Sequence, residues 1–236
     1  MAKPLKPSPS NPLPRHPKTM STALTQPATP LQAQLQRLPL VAILRGLTPA
    51  EAPAIGQALT KHGFGLIEVP LNSPQPLDSI ALLRAQCPQA LVGAGTVLSV
   101  QQVRDLHAAG GQLVVSPNFD PAVVAEALRL GLACLPGVAT PSEAFAALAA
   151  GAHGLKLFPA EMLPPTVVKA LRAVLPKEIP VLPVGGITPA NMAAYRAAGA
   201  SGFGIGSALY APGKSAQAVG DAAQAFASAW AGSMTA

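Results

Sequence analysis

Charged residues make up only 11% of this 236-residue chain, and aromatic residues only 4%. So low a charged fraction excludes a charge-rich disordered chain. Cysteine is nearly missing. Cys87 and Cys134 both sit in apolar contexts and read as buried, reduced thiols. That pattern excludes a disulfide framework or a cysteine metal site and points to the cytoplasm. No apolar segment follows the N-terminus, so no secretory signal is read. The longest charge-free stretch, 85–103, is interrupted repeatedly by Gln, Pro and Gly. It does not supply the ~20 mostly apolar residues of a membrane span, and no membrane partner is expected.

Acidic residues are absent from the N-terminal part: the first is Glu51, whereas Lys3, Lys6, Arg15 and Lys18 all precede residue 31. These four account for most of the formal net charge of +6; the remainder holds 12 basic against 10 acidic residues, a net of +2. The rest of the chain is therefore nearly neutral. It has no basic stripe interleaved with aromatics, so nucleic acid is not an expected partner. Within 1–30, eight prolines from Pro4 to Pro30 alternate with Ser, Thr and Asn. This composition predicts a disordered Pro-rich tail. Met20 is read as the start of translation, with 1–19 untranslated. A lack of acids would also suit an organelle-targeting peptide, but a single Arg argues against one.

Half of the chain is hydrophobic, mainly Ala, Leu and Val. Short continuous apolar runs recur at 40–45, 66–71, 91–97, 113–117, 133–136, 154–159, 181–185 and 202–206. Continuous rather than alternating runs predict strands buried on both faces of a parallel sheet. Helix starts lie between them. Thr48-Pro49-Ala50-Glu51 and Thr140-Pro141-Ser142-Glu143 read as capping boxes, and Thr188-Pro189, Asp120-Pro121 and Ser99 read as further starts. Gly63, Gly110, Gly131, Gly151 and Gly199 read as helix ends. Eight βα units predict an α/β fold, a (β/α)8 TIM barrel forming one domain over 31–236. An open doubly wound sheet is the alternative, but no G-x-G-x-x-G follows the first strand.

Active sites of such barrels lie at the C-terminal strand ends. That rule selects Arg45, Glu68, Thr96, Ser116, Asn118, Lys156, Gly185, Gly186, Gly206 and Ser207. Lys156 is flanked by Leu155 and Leu157, so strand alternation turns it into the barrel while the leucines face the helices. A buried lysine has a depressed pKa and becomes a nucleophilic amine. Glu68, also inside an apolar strand, suits a general acid or base. A structural ion pair of Glu68 with Lys156 or Arg45 is the alternative reading. Arg45 offers a fork for a carboxylate or phosphate, and Thr96 offers a hydroxyl between glycines. Gly185-Gly186 and Gly206-Ser207 fall at the two strand ends that often bind phosphate. His62, His107 and His153 fall at helix C-terminal ends and lack metal-ligand spacing, so no metal is expected.

Leu38-Pro-Leu-Val-Ala-Ile-Leu-Arg-Gly46, Ile67-Glu-Val-Pro-Leu-Asn-Ser-Pro74, Val92-Gly-Ala-Gly-Thr-Val97, Ser116-Pro-Asn118, Pro136-Gly-Val-Ala-Thr-Pro-Ser-Glu143, Leu155-Lys-Leu-Phe-Pro-Ala160, Val184-Gly-Gly-Ile187 and Ile205-Gly-Ser-Ala-Leu-Tyr210 occur in this order. Together they resemble the KDPG/KHG aldolase family over about 38–230. The resemblance implies a cytoplasmic class I aldolase of carbohydrate metabolism, metal-free and without a cofactor, assembled as a homotrimer. It implies a phosphorylated 2-keto-3-deoxy sugar acid as substrate, and pyruvate and glyceraldehyde 3-phosphate as products. It further implies that Lys156 forms the Schiff base and Glu68 is the acid/base, acting through a water. Arg45 and Thr96 would hold the pyruvoyl carboxylate, Pro117 and Phe158 would wall the pocket, and Gly185, Gly186, Gly206 and Ser207 would bind phosphate. Asn72-Ser73-Pro74 and Val184 resemble the branch acting on the phosphogalactonate acid, with Val184 near the C4 hydroxyl. The phosphogluconate branch more often carries Arg-Thr and Thr there. A different phosphate-binding barrel enzyme, such as an isomerase or a thiamine-phosphate-synthase-like transferase, and a non-catalytic phosphosugar-binding barrel are the other classes.

Overall fold

In the computed structural model, which describes residues 29–232, the apolar runs become parallel strands. They are β1 (Leu40–Ile43), β2 (Leu66–Pro70), β3 (Leu91–Gly95), β4 (Leu113–Val115), β5 (Ala133–Leu135), β6 (Gly137–Val138), β7 (Leu155–Leu157), β8 (Val181–Pro183) and β9 (Phe203–Ile205). One ladder runs β5-β4-β3-β2-β1-β9 and another β6-β7-β8. A parallel bridge between Val184 and Gly204 links the β8 end to β9. The expected fifth strand, 133–136, is instead two segments, β5 and β6, separated by Pro136. Proline has no N–H to give a ladder, so the pairing is interrupted there. Its carbonyl still accepts from the Lys156 N–H at 3.0 Å. With β5 and β6 sharing one position, eight positions close on themselves as the expected (β/α)8 barrel, and the open-sheet alternative is excluded.

The outer layer consists of α2 (Ala52–Lys61), α3 (Pro76–Gln86), α4 (Val100–Ala108), α5 (Pro121–Arg129), α6 (Pro141–Ala149), α7 (Pro165–Arg172), α8 (Met192–Ala197) and α9 (Ala216–Gly232). Local sequence explains several starts. Thr140 and Glu143 form both bonds of a capping box at α6. Asp120 Oδ1 accepts from the Ala122 and Val123 N–H groups at α5, and Ser99 Oγ accepts from Gln102 N–H at α4. Two expected starts are displaced. Thr48 donates both its N–H and its hydroxyl to Glu51 Oε2, but no backbone N–H donates to its oxygen, and α2 begins only at Ala52. Thr188 N–H donates to Asn191 Oδ1, and α8 begins at Met192. The chain leaves α6 through Gly151 at φ 91°, where a Cβ would be strained.

Two apolar layers result. Ile67, Val69, Leu155 and Leu157 pack outward against the helices. Val41, Leu66, Leu91, Leu113, Val115, Leu135 and Leu182 fill the barrel interior together with Leu31. Leu31 belongs to α1 (Pro30–Arg37), which opens with a full capping box at Thr29. Thr29 and Pro30, expected in the tail, are thus part of a structured plug at the N-terminal end of the barrel. The remainder of the expected tail and the Met20 start lie outside the described residues. Among the described residues no helix is long and apolar enough to cross a membrane.

Candidate active site

Strand alternation sends Leu155 and Leu157 to the helix layer and Lys156 to the interior, as expected. Lys156 is 7% exposed, and its Nζ lies 4.6 Å from the centroid of the Phe158 ring. Burial depresses its pKa most; the Glu68 carboxylate opposes that shift and the Arg45 charge adds to it. On the other side of the barrel, Glu68 follows Leu66 on the inward face of β2 and is 1% exposed. Burial raises its pKa from 4.5 to about 7, against the pull of Lys156, Arg45 and the Gly95 backbone N–H. The two do not form a direct ion pair, though each charge acts on the other's pKa. Glu68 Oε2 is buried with no hydrogen-bond partner. A buried carboxylate oxygen without a protein partner costs stability.

Both groups line an interior void of about 10 Å³. Above it, at the C-terminal strand ends, opens a pocket of about 570 Å³. Ile43 and Val184 line both, so the floor of the pocket continues to Lys156 and Glu68. A second hollow, of about 440 Å³, lies at the opposite end of the barrel beside Thr29, Leu31 and His153. Neither Lys156 nor Glu68 lines it, so it is remote from the strand-borne charges.

The open pocket gathers Arg45, Phe158, Val184, Gly185, Gly186, Gly206 and Ser207. Arg45 Nη1 donates to Asn72 Oδ1 at 2.7 Å, and Gly46 N–H donates to Ser73 Oγ at 3.0 Å, tying the loops after β1 and β2 together. Gly185 and Gly186 have φ of 116° and 60°, a turn that side-chain-bearing residues rarely adopt. Thr96 and Pro117 line neither void. Thr96 follows Gly95 at φ 56°, a strained conformation for a β-branched residue and one that clusters at functional sites. Pro117 lies two residues past β4 with its carbonyl against Gly137, the strand partner of Lys156. Ser116 is buried and its hydroxyl donates to the Val97 carbonyl at 2.8 Å; it lines neither void. Asn118 is exposed and lines neither void.

Sequence reasoning did not select Glu161 or Tyr210, which also line the pocket, and took Asn72 only as a branch marker. Glu161 sits in the short turn after β7, five residues beyond Lys156. An acid placed just past a strand end was the available signal. Tyr210 OH donates to Glu51 Oε1 at 3.4 Å, and burial with this acidic neighbour pushes the phenol up to about 12. His62 and His107 lie at the ends of α2 and α4 as expected, and His153 Nδ1 accepts from Cys134 N–H. Among the described residues, no three His, Cys, Asp or Glu side chains are grouped to hold a metal ion.

Residues 31–224 match the model of the KDPG and KHG aldolase family. A probable 2-dehydro-3-deoxy-6-phosphogalactonate aldolase of Rhizobium meliloti (strain 1021) is 52% identical over 179 residues, 75% of this chain and 84% of the relative. The 2-dehydro-3-deoxy-6-phosphogalactonate aldolase of Escherichia coli (strain K12) is 48% identical over 195 residues, 82% of this chain and 95% of the relative. A solved structure described as native KDPGal superposes with a TM-score of 0.83 at 46% identity, covering 85% of this chain and 98% of that one.

Proposed function

The chain belongs to the KDPG and KHG aldolase family, and on that premise we propose that it cleaves 2-dehydro-3-deoxy-6-phosphogalactonate reversibly through a Schiff base on Lys156. The products are pyruvate and D-glyceraldehyde 3-phosphate. The protein is an aldolase, a carbon–carbon lyase, and its substrate is a phosphosugar acid. The observation that carries the assignment of Lys156 is its burial inside the barrel, beside the same small void as Glu68 and beneath the open pocket.

Neutral Lys156 Nζ attacks the C2 carbonyl carbon, and the carbinolamine loses water to give a cationic imine. Glu68 takes the proton of the C4 hydroxyl, directly or through a water. The C3–C4 bond then breaks, its electron pair moving into the imine to leave an enamine and the free aldehyde. Protonation at C3 and hydrolysis of the imine release pyruvate and restore the amine. Covalent catalysis thereby divides one difficult step into easier ones. A carboxyl near 7 is matched to moving a proton in both directions at neutral pH.

Arg45, positioned by Asn72, and Thr96 hold the substrate carboxylate in this reading, and Pro117 and Phe158 wall the pyruvoyl end. The Gly185-Gly186 and Gly206-Ser207 loops take the phosphate, and Val184 faces C4. Assembly as a homotrimer, the cytoplasmic setting and a place in galactonate breakdown belong to the same proposal. Side-by-side kcat/KM values for the phosphogalactonate and phosphogluconate acids test the substrate assignment. A higher value for the phosphogalactonate acid supports it, and a preference for the other epimer overturns it.

A further inference from the structure

The Glu161 carboxylate lies directly on the Gly185-Gly186 loop. A Cβ on Gly185 would overlap Glu161 Oε2 and meet Oε1 at 3.0 Å; a Cβ on Gly186 would meet Oε1 at 3.4 Å. Glu161 shares the open pocket with Gly206 and Ser207 and is itself exposed. No cation pairs with it. The turn that carries it is anchored: Tyr195 OH donates to the Ala160 carbonyl at 3.0 Å, and Ala160 N–H donates to the Val184 carbonyl at 2.9 Å. An unpaired carboxylate therefore rests on a glycine turn of the kind whose backbone N–H groups receive anions.

From this geometry we infer that Glu161 is an affinity-setting residue: its carboxylate, in contact with the Gly185-Gly186 loop but not hydrogen-bonded to it, repels the substrate phosphate received there. The inference rests on the phosphate-loop reading above and adds a residue that reading does not use. Two like charges cannot share one cradle without repulsion, so the enzyme holds phosphate more weakly than its glycine loops alone would. The purpose fits a reversible reaction: a phosphorylated product held too tightly leaves slowly. Since Glu161 is solvent-exposed, the repulsion is screened by salt.

Calorimetric titration of the full chain with inorganic phosphate provides the test. Glu161→Gln keeps the shape and removes the charge; it should lower the phosphate Kd by about fivefold to tenfold at low ionic strength. The gain should shrink as salt is raised, and the KM for the phosphorylated substrate should fall in parallel. Tighter binding cannot be imitated by a misfolded variant. An unchanged or higher phosphate Kd in Glu161→Gln overturns the inference; a higher KM with lower kcat would mean instead that Glu161 grips the substrate. Should the unsubstituted protein form a pyruvate imine yet bind no phosphate, the loop reading and this inference both fail while the aldolase mechanism stands.

Discussion

The Glu68 carboxylate occupies the space that a side chain at Gly95 would need, so the absence of a Cβ on β3 makes room for the charge on β2. The missing side chain keeps Glu68 inside the barrel, and the Gly95 N–H supplies part of its stabilisation. Gly95→Ala should therefore strike the carboxyl before it strikes the fold. Expected are a stability loss of about 1–3 kcal/mol from overpacking and a kcat loss of about a hundredfold from the displaced acid/base. Thermal melts and steady-state kinetics on the same preparation separate the two.

Glu68 also sets opposite pH dependences for activity and stability. Cleavage needs its carboxylate form, so kcat should rise as pH passes through about 7. Its folded pKa lies above the ordinary 4.5, so between about 4.5 and 7 the native state holds a proton that the unfolded chain has lost. Stability from this group is accordingly highest below 4.5 and declines up to about 7. Glu68→Gln should be more stable than the parent by about 3 kcal/mol at pH 8, with the difference gone near pH 4. Melting curves across that range check the sign.

Asn72 holds the Arg45 guanidinium by a 2.7 Å bond at the mouth of the pocket. Freed of that partner, Arg45 must be ordered by the substrate itself. Asn72→Ala should raise KM about threefold to tenfold and change kcat by less than about twofold. An equal fall in kcat would place Asn72 against the reacting atoms.

Val184 joins the open pocket to the interior void and packs against Gly204. Val184→Thr is nearly isosteric and adds one hydroxyl at the position assigned to C4. It should shift the kcat/KM ratio toward the phosphogluconate acid by about tenfold. Kinetics with both epimers would show whether the ratio moves.

Much of this was legible because parallel strands are buried on both faces and so leave continuous apolar runs. Against such a background Lys156 and Glu68 stand out, because desolvating a charge is costly and needs a reason, function or a structural ion pair. The break at Pro136 was not legible, because an apolar run containing proline reads as one strand until its ladder partners are known. The plug α1 was hidden by its position beside a Pro-rich stretch: only the packing of Leu31 into the barrel shows it belongs to the core. Thr48 and Thr140 carry the same box motif and both hydroxyls donate to the acid three residues on, yet only Thr140 caps; Glu51, unlike Glu143, also accepts from Tyr210. A contact between residues 51 and 210 is invisible to local pattern. Glu161 was missed for a related reason, since only the folded turn lays it on Gly185.

Borohydride reduction of the full chain in the presence of pyruvate, followed by intact-mass measurement and peptide mapping, tests the central claim most directly. The account predicts one reduced pyruvate adduct per chain, located on Lys156 and lost in Lys156→Ala while its circular dichroism spectrum is unchanged. No adduct, or an adduct on any other lysine, would contradict it.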